Sequence, residues 1–199
     1  MTPALWTPSA QRIEDSRITH YRRWLQSQYG LQLADYAALW RWSVDHLDDF
    51  WASIWHYFDV QASQPYTQVL ARRTMPASGW FDGARLNYAQ QALRWHQDDG
   101  ERPAIVARSQ TRPEQVLSWH ELRAQVGAVA AAMRRMGIRP GDCVAAYLPN
   151  VPEAVVALLA CASLGAVWSS CSPDMGTPSV VDRFGQIKPK LLLVVDGYR

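Results

Sequence analysis

Cysteine is scarce in this 199-residue sequence, lysine is scarcer, and glycine is never clustered. The three cysteines, Cys143, Cys161 and Cys171, form no C-x-x-C pair and lie in apolar stretches. That argues against a disulfide framework and suits a reducing, cytoplasmic setting. No two glycines are spaced two apart, so the G-x-G-x-x-G dinucleotide fingerprint is absent and a dinucleotide oxidoreductase is disfavoured. The only lysines, Lys188 and Lys190, stand just before an apolar run, and no G-x-x-x-x-G-K-[ST] loop exists. His20, His46, His56, His96 and His120 make no H-x-x-x-H pattern, so no metal site is expected. Ser169, Ser170 and Ser172 lack the G-x-S-x-G elbow of a hydrolase nucleophile.

Charge of one sign is also missing in bulk. The formal net charge is +2 and no run of five like charges occurs, so there is no field for nucleic acid. The longest apolar window, VVALLACASLGAVW, falls short of the roughly 20 residues that a membrane helix needs. The opening MTPALWTPSAQRIEDS has no apolar core, and no secretory signal is expected.

Aromatic residues are abundant by contrast. Eight of the ten tryptophans fall before residue 96, whereas Ala and Val dominate afterwards, which suggests two structural regimes. The first reads as helices. Ser9 caps a segment with Ile13, Ile18, Tyr21, Trp24 and Leu25 on one face, and Gly30 stops it. Leu33, Tyr36, Leu39 and Trp40 mark a second helix, and residues 43–58 a third. Pro65 and MPASG (75–79) mark loops, and a helix resumes over 84–95. The helical spacing of the aromatics favours packing surfaces over a ligand cage.

The second regime alternates strands and helices. Residues 103–108 and 115–119 read as strands around a polar turn containing Pro113. Ser118 and Glu121 form a capping box for a helix with Leu122, Val126, Val129, Met133 and Met136 on one face, ended by Gly137. Strands follow at 143–148, 166–171 and 191–195, the last read as buried on both faces. Helices lie between them, one opening at Pro152 and one with Thr177 as cap. The series implies a doubly wound, mostly parallel sheet. Ligands in such sheets bind beyond the C-terminal strand ends, where YLPNVPE (147–153) and SSCSPDMGTP (169–178) lie. The second loop leads into a helix N-terminus suited to an anion, but the residues alone favour an ordinary strand-to-helix connection. The residues alone therefore describe a helical module joined to the first half of a nucleotide-type parallel sheet, without catalytic equipment.

The stretch GIRPGDCVAAYLPNVPEAVVALLACASLGAVWSSCSPDMG (137–176) resembles the acyl-adenylate-forming, AMP-binding ligases. Three further blocks are similar to the acetoacetate-activating branch of that family: LWRWSV (39–44) with FWASIWHYF (50–58), WFDGARLNYA (80–89), and WSSCSPDMGTPSVVDRFGQIKPK (168–190). Acetyl-activating members carry Gly-Gly where this chain has Pro173 and Asp174. The resemblance covers essentially the whole chain. It implies an α/β fold in two parts: a helical region over 1–95, then the start of the AMP-binding large domain over 96–199, incomplete. It implies an acid–thiol ligase using ATP, Mg²⁺ and CoA, with acetoacetate as substrate and no partner nucleic acid or membrane. Ser172, Pro173 and Asp174 would lie near the CoA adenine, and Arg199 would supply a cation to the CoA phosphates. No catalytic residue is carried over. The phosphate loop, the ATP-binding segments and the lid lysine would all lie downstream, so this chain is expected to be inactive without the rest of the large domain and its lid. The alternative is a non-catalytic partner-binding or regulatory module derived from such a ligase.

Overall fold

A computed structural model describes residues 5–94 and 100–197. The chain divides into two compact units, Met1–Arg85 and Leu86–Arg199. The boundary expected at 95/96 falls at residues outside the described ones.

In the first unit, the single helix expected between Ser9 and Gly30 is two: α1 (Ala10–Glu14) and α2 (Arg17–Tyr29). Ser16 is the reason. Its backbone is extended and its Oγ accepts the Thr19 N–H at 3.2 Å, capping a new helix. The hydroxyls of Ser16 and Thr19 each donate to the Ile13 carbonyl at 2.7 Å, in place of the helical ladder. Gly30 does end α2, in the left-handed region at φ 69°. Asp35 caps α3 (Tyr36–Asp45) by accepting the Ala38 N–H at 2.7 Å. The helix expected over 43–58 is broken at His46 (φ −122°, ψ 61°), and α4 spans Leu47–Tyr57.

These helices bury their aromatic stripes on one another. Tyr21, Leu25 and Leu39 are buried, with Trp24, Leu33, Trp42, Phe50, Ile54 and Tyr57 packed around them. The Tyr21 hydroxyl lies 2.6 Å from the buried Ser53 hydroxyl, so a polar tip inside this core is satisfied. The unit is not wholly helical. Strands β1 (Gln68–Arg72) and β2 (Gly79–Asp82) form an antiparallel hairpin where the sequence showed only the loop 75–79. Strands of five and four residues are too short to display a period of two against the surrounding aromatic pattern.

The second unit opens with α5 (Tyr88–Leu93), capped by Asn87. Strands β3 (Pro103–Ala107) and β4 (Gln115–Ser118) pair antiparallel as a sheet of their own. Helix α6 (Trp119–Arg135) begins at the expected capping box, with the Ser118 side chain and Glu121 each accepting the other's backbone N–H. It buries Leu122, Val126, Ala130 and Met133, but Met136 lies past its end and is exposed. Gly137 then turns the chain at φ 84°.

The remaining elements are β5 (Cys143–Tyr147), α7 (Pro152–Ser163), β6 (Val167–Cys171), α8 (Thr177–Ile187) and β7 (Leu191–Val194). Their strands form one parallel sheet in the order β6-β5-β7. Central β5 is sealed on both faces: Val144, Ala145 and Ala146 are 0% exposed. Two details differ from expectation. Gly176, not Thr177, is the N-cap of α8, and no side chain bonds there; Thr177 and Pro178 are the first helical residues. β7 is not buried on both faces. Leu191 and Leu193 pack on the core, while Leu192 and Val194 are 50% and 57% exposed, the alternation of a strand covered on one face.

Candidate functional site

Parallel strands deliver their C-terminal ends to one edge of the sheet, and two loops leave it side by side. After β6 the chain folds into a tight turn, the Met175 N–H donating to the Ser172 carbonyl at 3.0 Å. The hydroxyl of Tyr147, the last residue of β5, reaches across and lies 2.9 Å from both the Pro173 and Met175 carbonyl oxygens. Beneath the turn, Ala145, Cys171 and Phe184 form a small buried cluster, with Met175 and Val180 packed against it. Ser172, Pro173 and Asp174, singled out from sequence, are thus gathered on one pinned turn, with Ser172 and Asp174 exposed. A hydrogen bond from the Ser172 side chain, then one from its own backbone, holds the Asp174 carboxyl below its ordinary pKa. It is an acceptor, and it carries negative charge at neutral pH. Arg199, the fourth residue singled out, lies outside the described residues.

The loop after β5, Pro149–Pro152, faces a different neighbour. Together with the tip of the β3–β4 hairpin and Gly197 it lines a cavity of about 320 Å³. Arg108 and Arg112 from the hairpin tip take part, as does Asn150. Arg108 donates to Glu114 at 2.6 Å. The sequence showed this tip only as a polar turn around Pro113; which loop it faces depends on how β3–β4 packs beside the parallel sheet.

The opposite edge of the sheet is a structural lock. Lys190 Nζ donates to the Gly137 carbonyl at 2.7 Å and to Asp142 Oδ2 at 2.9 Å. The hydrogen bond from Lys190, then that from the Arg139 backbone N–H, lowers the Asp142 pKa. The three cysteines are free; burial pushes the Cys161 thiol pKa up, which makes it inert at neutral pH. Among the described residues no three His, Cys, Asp or Glu side chains gather as a metal site, and no helix is long and apolar enough to cross a membrane.

Comparison with known proteins bears on the family of the chain. The family model for AMP-binding enzymes matches residues 92–198, and the model for the acetyl-coenzyme A synthetase N-terminus matches 36–92. The chain is 43% identical over 194 residues to an acetoacetyl-CoA synthetase of Danio rerio, covering 96% of this chain and 28% of that one. It is 40% identical over 194 residues to the acetoacetyl-coenzyme A synthetase of Rhizobium meliloti, covering 98% of this chain and 29% of that one. The solved acetoacetyl-CoA synthetase from Streptomyces lividans superposes with a TM-score of 0.93 at 51% identity, over 98% of this chain and 30% of that one. The chain thus spans less than a third of the length of these relatives. With more than half of its residues matched by that one model, the chain belongs to the AMP-binding enzyme family.

Proposed function

We propose that this chain is the N-terminal part of an acetoacetate–CoA ligase and supplies the CoA-nucleotide side of its site. The single observation behind this reading is the likeness to the Streptomyces lividans enzyme over nearly the whole chain. In the reaction, a carboxylate oxygen of acetoacetate attacks the α-phosphorus of ATP, releasing pyrophosphate and leaving acetoacetyl-AMP. The CoA thiol then displaces AMP at the acyl carbon.

The role of this chain is to bind and orient. Pro173 offers a rigid apolar surface to the CoA adenine, and the ionised Asp174 can accept a hydrogen bond from the adenine amino group. Tyr147 holds that turn in shape before ligand arrives, which lowers the ordering cost of binding. Arg199 supplies a guanidinium to the CoA phosphates. Among the described residues no three metal-ligating side chains gather, and the Mg²⁺ would be held with the ATP phosphates by the remainder of the large domain. The remainder of the large domain and its lid complete the enzyme, in the cytoplasm. A free-standing regulatory module has no specific observation in its favour.

The test replaces the corresponding N-terminal segment of the Streptomyces lividans enzyme with this chain. Acetoacetate-dependent ATP–pyrophosphate exchange and acetoacetyl-CoA formation are the expected outcome. A soluble, folded chimera that performs neither reaction would sink the reading. The 199-residue chain by itself is expected to show no exchange.

A further inference from the structure

We infer that the cavity between the β3–β4 hairpin tip and the β5–α7 loop is a second binding site, one for the phosphoryl group of a nucleotide-sized ligand. It is distinct from the Ser172–Asp174 turn, shares none of its residues, and does not depend on the reading given for that turn.

Among the described residues the cavity lining contains two guanidinium groups, Arg108 and Arg112, and no carboxylate. Glu114 balances Arg108, whereas the Arg112 side chain has no ion pair or hydrogen bond among the described residues. The Asn150 side chain, on the facing loop, is likewise uncommitted. The fork of Arg112, the N–H groups that Arg108 does not give to Glu114 and an amide line one space and match the tetrahedral oxygens of a phosphoryl group, which guanidinium contacts favour over a simple ammonium. The facing wall is stiff: Pro149 and Pro152 bracket it, and α7 starts there with Val151 as an N-cap that makes no side-chain bond. The positive end of a helix of 12 residues therefore adds to the guanidinium field. The volume, about 320 Å³, lies at the lower end of ligand pockets and admits a diphosphate or the phosphorylated end of a nucleotide. The place is the C-terminal edge of a parallel sheet, where such folds collect their ligands.

Titration of the purified 199-residue chain with inorganic pyrophosphate, ADP and adenosine 3′,5′-bisphosphate, followed by calorimetry and by NMR of the arginine side chains, tests the site. Saturable binding that moves the Arg112 Nε–H signal is expected. Arg112→Ala should weaken it at least about tenfold, the size expected for losing one charge-assisted contact. Arg112→Lys should restore part of it, and Arg12→Ala, in the first unit, should change nothing. Tighter binding of either nucleotide than of pyrophosphate identifies a nucleotide source; equal binding identifies free phosphates. Absence of saturable binding by a chain with native near-UV circular dichroism would overturn the inference. So would binding that Arg112→Ala and Arg108→Ala leave unchanged. Because binding is read directly, these outcomes stand apart from success or failure of the ligase chimera.

Discussion

Tyr147 and Pro173 are joined by a hydrogen bond between the end of β5 and the loop after β6, the hydroxyl 2.9 Å from the carbonyl oxygen. One side chain at the end of the central strand thereby sets the shape of the turn after its neighbour. In Tyr147→Phe the turn keeps its apolar support and loses only the pin, at a net cost of about 1 kcal/mol. In the ligase chimera this should raise the KM for CoA several-fold while leaving ATP–pyrophosphate exchange unchanged. An equal loss in both half-reactions would show that the hydroxyl serves the fold generally and not the CoA side.

Asp142 gives a pH dependence with a definite sign. Its pKa is lowered in the folded chain, so its contribution to stability is fully present above the ordinary carboxylate pKa and is lost as pH falls through the lowered folded value. Acid unfolding curves should therefore separate Asp142→Asn from the parent at neutral pH and bring them together in strong acid. Parallel curves across the whole range would contradict the Lys190–Asp142 tie.

The capping box at Ser118 and Glu121 should be measurable as stability. Ser118→Ala removes the acceptor for the Glu121 N–H and should cost about 1 kcal/mol. A fall in Tm together with faster amide exchange in the first turn of α6 is the expected signature. An unchanged Tm would mean that packing alone holds that helix start.

Met133 reports on the core between α6 and its neighbours. It is 2% exposed, and Met133→Ala should cost about 2–5 kcal/mol by loss of burial and by the cavity left behind. Met136→Ala, three residues on but past the helix end and 65% exposed, should be near neutral. Chemical denaturation of both variants checks the contrast.

Local chemistry was legible wherever one residue and its immediate neighbours decide the outcome. Gly30 and Gly137 end helices because they take positive φ. Ser118 and Glu121 start one because their side chains satisfy each other's backbone, and the strands at Cys143 and Val167 follow from short apolar runs. The turn Ser172–Asp174 was also visible, because a resemblance in sequence marks it out. Where two local signals compete, pattern alone was insufficient: Ser16 and His46 break helices whose apolar spacing runs straight through them.

Tertiary structure decided the rest, because it depends on residues far apart in the chain. Which face of β7 is covered is set by its pairing with β5 at one side and by the residues that pack onto it, so an unbroken apolar run became a half-exposed strand. That Tyr147 meets Pro173, and that Arg112 faces Asn150 across a cavity, follows from the parallel register and the placement of a hairpin. Sequence by itself determined the alphabet of helices, caps and strands and the family to which they belong. Spatial convergence of side chains 26 or more positions apart came only with the packed sheet, since no periodicity along a chain encodes which loops its strands will bring together.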